Sequence, residues 1–234
     1  MLRAWLEGLA VGAGELNHRN ILELVSDTRY PKMCDLGCDD GTFTQEVALA
    51  ASAVEIHGVE LIEERAELAR KRGMVVAVAD LDRPLPYESE SFDLVHANQV
   101  IEHVGNIDNF LAEVHRILKR GGVSIISTEN ASSWHNVAAG ALGWQIFSLS
   151  NVSPRRRAGI GNPLALHRNE PVDLASWTHK TIFNYRGLVE IHPVYGLQPV
   201  KVLGAGYHPL PPRIGRLDPR HAHFLTVKAI RTSA

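Results

Sequence analysis

Between residues 30 and 128, short runs rich in β-branched residues alternate with segments whose apolar residues recur at helical spacing. Strands that alternate with helices are joined by crossovers, and crossovers place parallel strands side by side with helices on the sheet faces. The expected strands are 32–36, 55–59, 74–79, 92–97 and 123–127, and the expected helices 42–51, 62–72 and 107–119. In the last of these Ile107, Phe110, Leu111, Val114 and Leu118 fall on one buried face. With 234 residues, 45% apolar and 21% charged, the chain is long enough for one large α/β domain carrying a substantial insertion.

The rhythm divides the chain into four parts. Residues 1–29 read as one or two helices capping the sheet edge, with Ile21, Leu22, Leu24 and Val25 as the apolar face and Ser26-Asp27 as the break. Residues 30–130 are the alternating core. Residues 131–180 break the alternation with Gly, Pro, Asn, Ser, His and Trp, and a loop-rich stretch of that length inside a domain is usually functional or disordered. Short helices are expected near 137–142 and 183–191. Residues 181–234 complete the sheet with strands at 200–204 and 224–230, separated by HPLPPRIGRLDPR.

The formal net charge of −2 leaves no electrostatic footprint for nucleic acid or an anionic membrane. Cys34 and Cys38 have no second pair to complete a zinc site, so they read as reduced thiols and no metal is expected. No apolar run is long enough to span a bilayer, and the first residues lack the pattern of a signal peptide, which makes a cytoplasmic location the expectation.

The densest motif is MCDLGCDDGTFT at 33–44, a turn expected to follow the first strand. Ligands of open α/β sheets bind beyond the carboxyl ends of the strands, and this first turn is the usual contact. Gly37 and Gly41 bracket it, and Asp39 is a residue type that tolerates left-handed backbone. Glu60 ends the second strand, where a carboxylate can accept from two vicinal ribose hydroxyls. The glycine spacing is not G-x-G-x-x-G, which weighs against a nicotinamide-dependent oxidoreductase. Asp35, Asp39 and Asp40 would repel a pyrophosphate and attract a ligand carrying an ammonium and a sulfonium, as S-adenosylmethionine does.

DLGCDDG, GVE ending at Glu60, ADLDRPLPYESESFDLVHANQVIEHV and FLAEVHRILKRGGVSIISTEN together resemble the class I S-adenosylmethionine-dependent methyltransferase family, closest to its small-molecule and sugar-modifying branch. The resemblance covers residues 30–130 closely and the tail more loosely. It implies a Rossmann-like, doubly wound, mostly parallel seven-stranded sheet with an antiparallel last strand. It also implies methyl transfer to a small-molecule acceptor, a hydroxyl of a sugar or other natural-product precursor, with S-adenosylmethionine as cofactor. No Asn-Pro-Pro-Tyr type motif follows the fourth strand, where NQVIE stands, so methylation of adenine in nucleic acid is not expected. The rival reading is a catalytically silent, cofactor-binding regulatory or scaffolding subunit. The resemblance leaves a homodimer open.

Carried over residue by residue, the resemblance assigns the methionine part of the cofactor to Asp35, Gly37, Cys38, Asp39, Gly41, Thr42 and Phe43. Where the family prefers glycine, Asp39 stands. Glu60 is assigned to the ribose, Leu61 and Leu81 to the adenine, and Asp80 to its exocyclic amine. Asn98, Gln99 and Glu102 follow the fourth strand, where the methyl group would be delivered. The candidate bases are His103, His135 and His179, imidazole being suited to proton transfer near neutral pH. Glu102 and His103 equally suit a role in capping a short helix. In 131–180, Trp134, Trp144 and Trp177 offer faces for an acceptor, and Arg156 offers a grip on its phosphate or carboxylate.

Overall fold

In the computed structural model, which describes residues 2–151, 158–165, 168 and 178–232, strand β1 (Lys32–Leu36) has a parallel partner on each side. One neighbour is β2 (Glu55–Glu60), reached through helix α2 (Thr42–Ala50); the other is β4 (Phe92–Asn98). Helix α3 (Glu63–Lys71) leads to β3 (Val75–Val78), and α4 (Ile107–Ile117) leads to β5 (Leu118–Glu129). Beyond α5 (Trp134–Ala141), helix α6 (Tyr185–Val194) leads to β6 (Leu197–Ala205), and β7 (Phe224–Arg231) ends the sheet. The order is β3-β2-β1-β4-β5-β7-β6, with β7 inserted antiparallel between β5 and β6. This is the expected seven-stranded Rossmann-like sheet with its last strand antiparallel.

Both faces are covered. On one, Phe92, Val95 and Ala97 of β4 pack with Phe110, Leu111, Val114 and Ile117 of α4 and Leu188 of α6. On the other, Met33, Leu94 and Ile125 meet Ile21, Leu24 and Val25 of helix α1 (Leu2–Val25) and Val47 of α2. The N-terminal segment is thus a single helix, its buried face running through Ala13, Leu16, Asn17, Asn20, Ile21, Leu24 and Val25. Helix α4 stops two residues earlier than its periodicity suggests. Leu118 is already extended and pairs with Phe92 of β4, and Ile117 takes the last place on the apolar stripe. Asn106 starts this helix by accepting from the Asn109 backbone N–H at 3.1 Å.

Helix α1 reaches the carboxyl edge of the sheet with polar side chains. Asn17 donates to Asn98 Oδ1 at 2.9 Å and accepts from Ser127 and Thr226, each at 2.9 Å. A buried amide with three satisfied bonds fixes α1 against the ends of β4, β5 and β7. Among the described residues no helix is long and apolar enough to cross a membrane.

Candidate active site

The strand order reverses between β1 and β4, and the crevice at such a reversal is where open α/β sheets bind ligands. The turn after β1 is held to the next strand: Gly37 and Cys38 both donate to the Val59 carbonyl, at 2.8 and 3.1 Å. Gly37 and Gly41 have φ of 76° and 79°. A Cβ on Gly37 would lie 2.6 Å from Val100 Cγ2, and one on Gly41 would lie 2.7 Å from Met74 Sδ and 3.1 Å from the Ala69 backbone. Both conformation and space therefore demand glycine. Asp39, between them, also has positive φ, 48°, a conformation Asp tolerates better than most.

The carboxylates of the turn are engaged by the protein. Asp35 is buried and accepts from Thr44 Oγ1 at 2.5 Å and from His96 Nδ1 at 2.8 Å, tying the start of α2 to β4. Asp39 pairs with Arg65 at 3.1 Å, and Asp40 with Arg72 at 3.2 Å while also accepting from the Thr42 N–H at 2.9 Å. Arg65 and Arg72, distant in sequence, compensate two of these acids. Cys38 follows Gly37 in the turn. Its thiol is buried among Ala66, Ala69, Met74 and Val76, so only its backbone borders the turn. Phe43 stacks on His18 of α1 with centroids 4.0 Å apart.

Glu60 accepts from the Asp39 N–H through Oε2 at 3.0 Å, and from the Leu61 and Ile62 N–H groups through Oε1 at 2.8 and 3.0 Å. A carboxylate has about four acceptor positions, so one on Oε2 remains open. Leu61 beside it is 50% exposed, a free apolar face. Asp80 accepts from the Asp82 N–H at 2.9 Å through Oδ1. In register, Leu36 lies beside Val59 and Glu60 beside Val78, so Gly37, Glu60 and Asp80 follow the ends of β1, β2 and β3 along one edge.

At the end of β4, Asn98 is held by Asn17, and Gln99, with φ of 56°, donates to Ser127 Oγ at 3.3 Å. The next turn, Ile101–His103, buries Glu102 completely, where it accepts from Thr128 Oγ1 at 2.8 Å. Burial pushes the Glu102 carboxyl up to about 8, and the charge of Glu129 adds to the shift. Glu102 is thus enclosed at the turn after β4, bonded to the end of β5. Its carbonyl accepts from the Lys180 and Thr181 N–H groups at 2.7 and 3.2 Å, which brings His179 to His103 with ring centroids 4.7 Å apart. Burial, then the neighbouring His179, push His103 down to about 4, well below the neutral range expected of a base.

His135 joins a different group, wedged between Phe147, His208 and His223 at centroid distances of 5.2, 4.9 and 4.5 Å. Burial, then His208, push it down to about 3, so it too falls below the range of a neutral-pH base. Burial also lowers His208 and His223, which share a ring-to-ring hydrogen bond of 3.0 Å that needs one donor and one acceptor. The rings of Phe147 and Phe224, and Ser133 Oγ at 3.4 Å from His135, also border the cluster. Because the folded-state values lie below the ordinary 6.5, the unfolded chain takes up protons first as pH falls. Stability is therefore complete above about pH 6.5 and declines below it, with a slope of up to about 1.4 kcal/mol per pH unit for each imidazole. Urea unfolding between pH 7 and pH 5, above most carboxylate titration, should show this decline, and His208→Gln should reduce the slope.

Trp134 is 45% exposed; its indole stacks on His221 at 4.4 Å and its N–H donates to the Tyr207 hydroxyl at 2.8 Å. Trp144 is half-buried after α5. Arg156 and Trp177 lie outside the described residues.

Residues 34–126, from β1 through most of β5, match the family described as "Methyltransferase domain". This segment is a methyltransferase domain. A ubiquinone biosynthesis O-methyltransferase of Rattus norvegicus is 27% identical over 66% of this chain and 52% of its own length. A malonyl-[acyl-carrier protein] O-methyltransferase of Legionella pneumophila is 32% identical over 42% of this chain and 36% of its own. The chain thus spans about half or less of the length of these curated relatives. The crystal structure of an S-adenosylmethionine-dependent methyltransferase from Mesorhizobium loti superposes with a TM-score of 0.60, covering 95% of this chain and 100% of that one at 20% identity. That likeness shows the fold, the Rossmann-like fold of class I methyltransferases.

Several groups around the methyltransferase domain escaped sequence reasoning. Asn17, His96, Thr44 and Thr128 are buried polar residues whose partners lie on other elements. His96 carried a usable signal, an imidazole flanked by apolar Val95 and Ala97 in the strand FDLVHAN.

Proposed function

We propose that the chain transfers a methyl group from S-adenosylmethionine to a hydroxyl oxygen of a small molecule, a sugar or other natural-product precursor. The observation that carries this reading is the alignment of Gly37, Glu60 and Asp80 along consecutive strand ends. Neighbouring strands lie about 4.8 Å apart, so this edge runs from a glycine turn through an open carboxylate position, with the exposed Leu61 next to it, to a second acid, Asp80. The donor set fits a ligand with an amino-acid head, a ribose diol and an adenine. Gly37, Asp39, Gly41 and Thr42 would border the methionine part, with Asp35 and Cys38 shaping the turn from behind. Glu60 would accept from the ribose, Leu61 and Leu81 would flank the adenine, and Asp80 would accept from its amine.

S-adenosylmethionine, when bound, supplies an activated methyl group. The protein then has to align the acceptor, exclude water and provide for the hydroxyl proton. Asn98 ends β4 and Gln99 follows it where the acceptor would approach, and Glu102 and His103 of the next turn meet His179. The described residues that follow β5 would form part of the acceptor's cover, with Trp134 and Trp144 as its surfaces. Oxygen as the acceptor atom draws support from the two O-methyltransferase relatives. The buried free thiols of Cys34 and Cys38 suit the reducing cytoplasm. Incubating the purified chain with S-adenosylmethionine labelled in its methyl group, against panels of sugars and phenols, tests the reading. Label transfer to an acceptor supports it; cofactor binding without transfer to any of them would favour a silent, cofactor-binding subunit.

A further inference from the structure

The group behind β4 has a composition that methyl transfer alone does not explain. One potential ligand atom from each of Glu102, His103 and His179 lies within 4.8 Å of the others. The two rings are set by backbone carbonyls: His103 Nδ1 faces Thr178 O at 3.2 Å, and His179 Nδ1 faces Ser148 O at 2.5 Å. A carbonyl only accepts, so each Nδ1 carries the proton and donates, and each neutral ring keeps its lone pair on Nε2. A ring oriented through one N–H to leave the other nitrogen free is the usual arrangement of a metal-ligating histidine.

The carboxylates tell the same story independently. Glu102 is fully buried, and among the described residues no lysine or arginine pairs with it or with Glu129. Glu129 Oε2 is a buried atom without a hydrogen-bond partner, 3.9 Å from His179 Nδ1. Two carboxyl groups converging in a buried place without a fixed cation are relieved either by a proton on one of them or by a bound cation that displaces it. A histidine pair with a carboxylate is a ligand set for a borderline dication, and harder ions such as Mg²⁺ prefer oxygen alone.

We propose that Glu102, His103 and His179, with Glu129 beside them, form a binding site for one transition-metal dication of the Zn²⁺ type. The expectation of no metal rested on cysteine spacing; these ligands instead come from the turn after β4 and from a segment 76 residues later, joined by the hydrogen bonds of Lys180 and Thr181 to Glu102. With three protein ligands the ion keeps an open position. On the function proposed above, that position would take the acceptor's hydroxyl oxygen and lower its pKa so that its proton passes to solvent water, with the two rings serving as ligands and not as bases.

The full chain, stripped with a chelator and dialysed, should be titrated calorimetrically with Zn²⁺ and with Mg²⁺, and with Co²⁺ followed by visible absorption. The site predicts one Zn²⁺ or Co²⁺ per chain, a Co²⁺ spectrum of nitrogen and oxygen ligation, and much weaker Mg²⁺ binding. His179→Ala, at the edge of the site, should weaken Zn²⁺ binding by roughly a hundredfold or more, and His103→Ala likewise, with circular dichroism confirming the fold. Absence of stoichiometric binding, or binding unchanged in both variants, would overturn the proposal. Titration of the same stripped protein with S-adenosylmethionine separates the two readings: cofactor binding without metal binding removes only the metal site, and metal binding without cofactor binding removes only the methyltransferase reading.

Discussion

Asp35→Ala is expected to lower the free energy of unfolding by about 3 kcal/mol or more, the sum of two buried polar groups losing their acceptor. Thr44 Oγ1 and His96 Nδ1 both donate to this one side chain, and all three residues are buried. His96 has no spare bond to fall back on, because its Nε2 is already without a hydrogen-bond partner. The same change frees the start of α2 from β4, so the glycine turn between them should lose its set and with it the cofactor. Asp35→Asn keeps one accepting oxygen and should fall between the wild type and the alanine variant. Urea unfolding with the slope checked for two-state behaviour measures both. A loss below about 1 kcal/mol for the alanine variant would mean that the brace contributes little and that the turn is held by its other bonds, to Val59 and Glu60.

Glu60→Ala is expected to weaken S-adenosylmethionine binding by about 2–3 kcal/mol, roughly thirty- to a hundredfold or somewhat more. The side chain serves both partners of the site. It accepts from the backbone of Asp39, which sets the turn, and from Leu61 and Ile62, and it retains an open position on Oε2 for a ribose hydroxyl. Water can replace it at these half-exposed N–H groups, so stability without ligand should change far less than affinity. Glu60→Gln keeps one acceptor oxygen and should give an intermediate affinity. Equal affinity in the alanine variant would remove Glu60 from the ribose.

The parts of the fold set by local periodicity were legible. The first strand runs from Lys32 to Leu36 as its apolar run indicated, and the alternation through β5 led to the observed parallel core. Boundaries slipped where tertiary pairing overrode local pattern. Strand β5 starts at Leu118 because that residue pairs with Phe92, although helical spacing alone would keep it in α4. Within the site, the glycines at 37 and 41 were readable because their backbone demands are local. The partners of the acids were not, since Arg65 and Arg72 reach Asp39 and Asp40 only after α3 has folded back along the sheet. Histidines looked alike in the sequence. Burial separates His135, among its own ring cluster, from His103 and His179, which meet only because residues 178–181 dock on the Glu102 carbonyl.

The central claim is that the edge formed by Gly37, Glu60 and Asp80 holds S-adenosylmethionine. Calorimetric titration of the purified chain with S-adenosylmethionine, and separately with NADH, tests it most directly. The geometry predicts saturable binding of S-adenosylmethionine at one site per chain, lost or much weakened in Glu60→Ala, and no binding of NADH. Binding of NADH, or of S-adenosylmethionine with an affinity indifferent to Glu60, would contradict it.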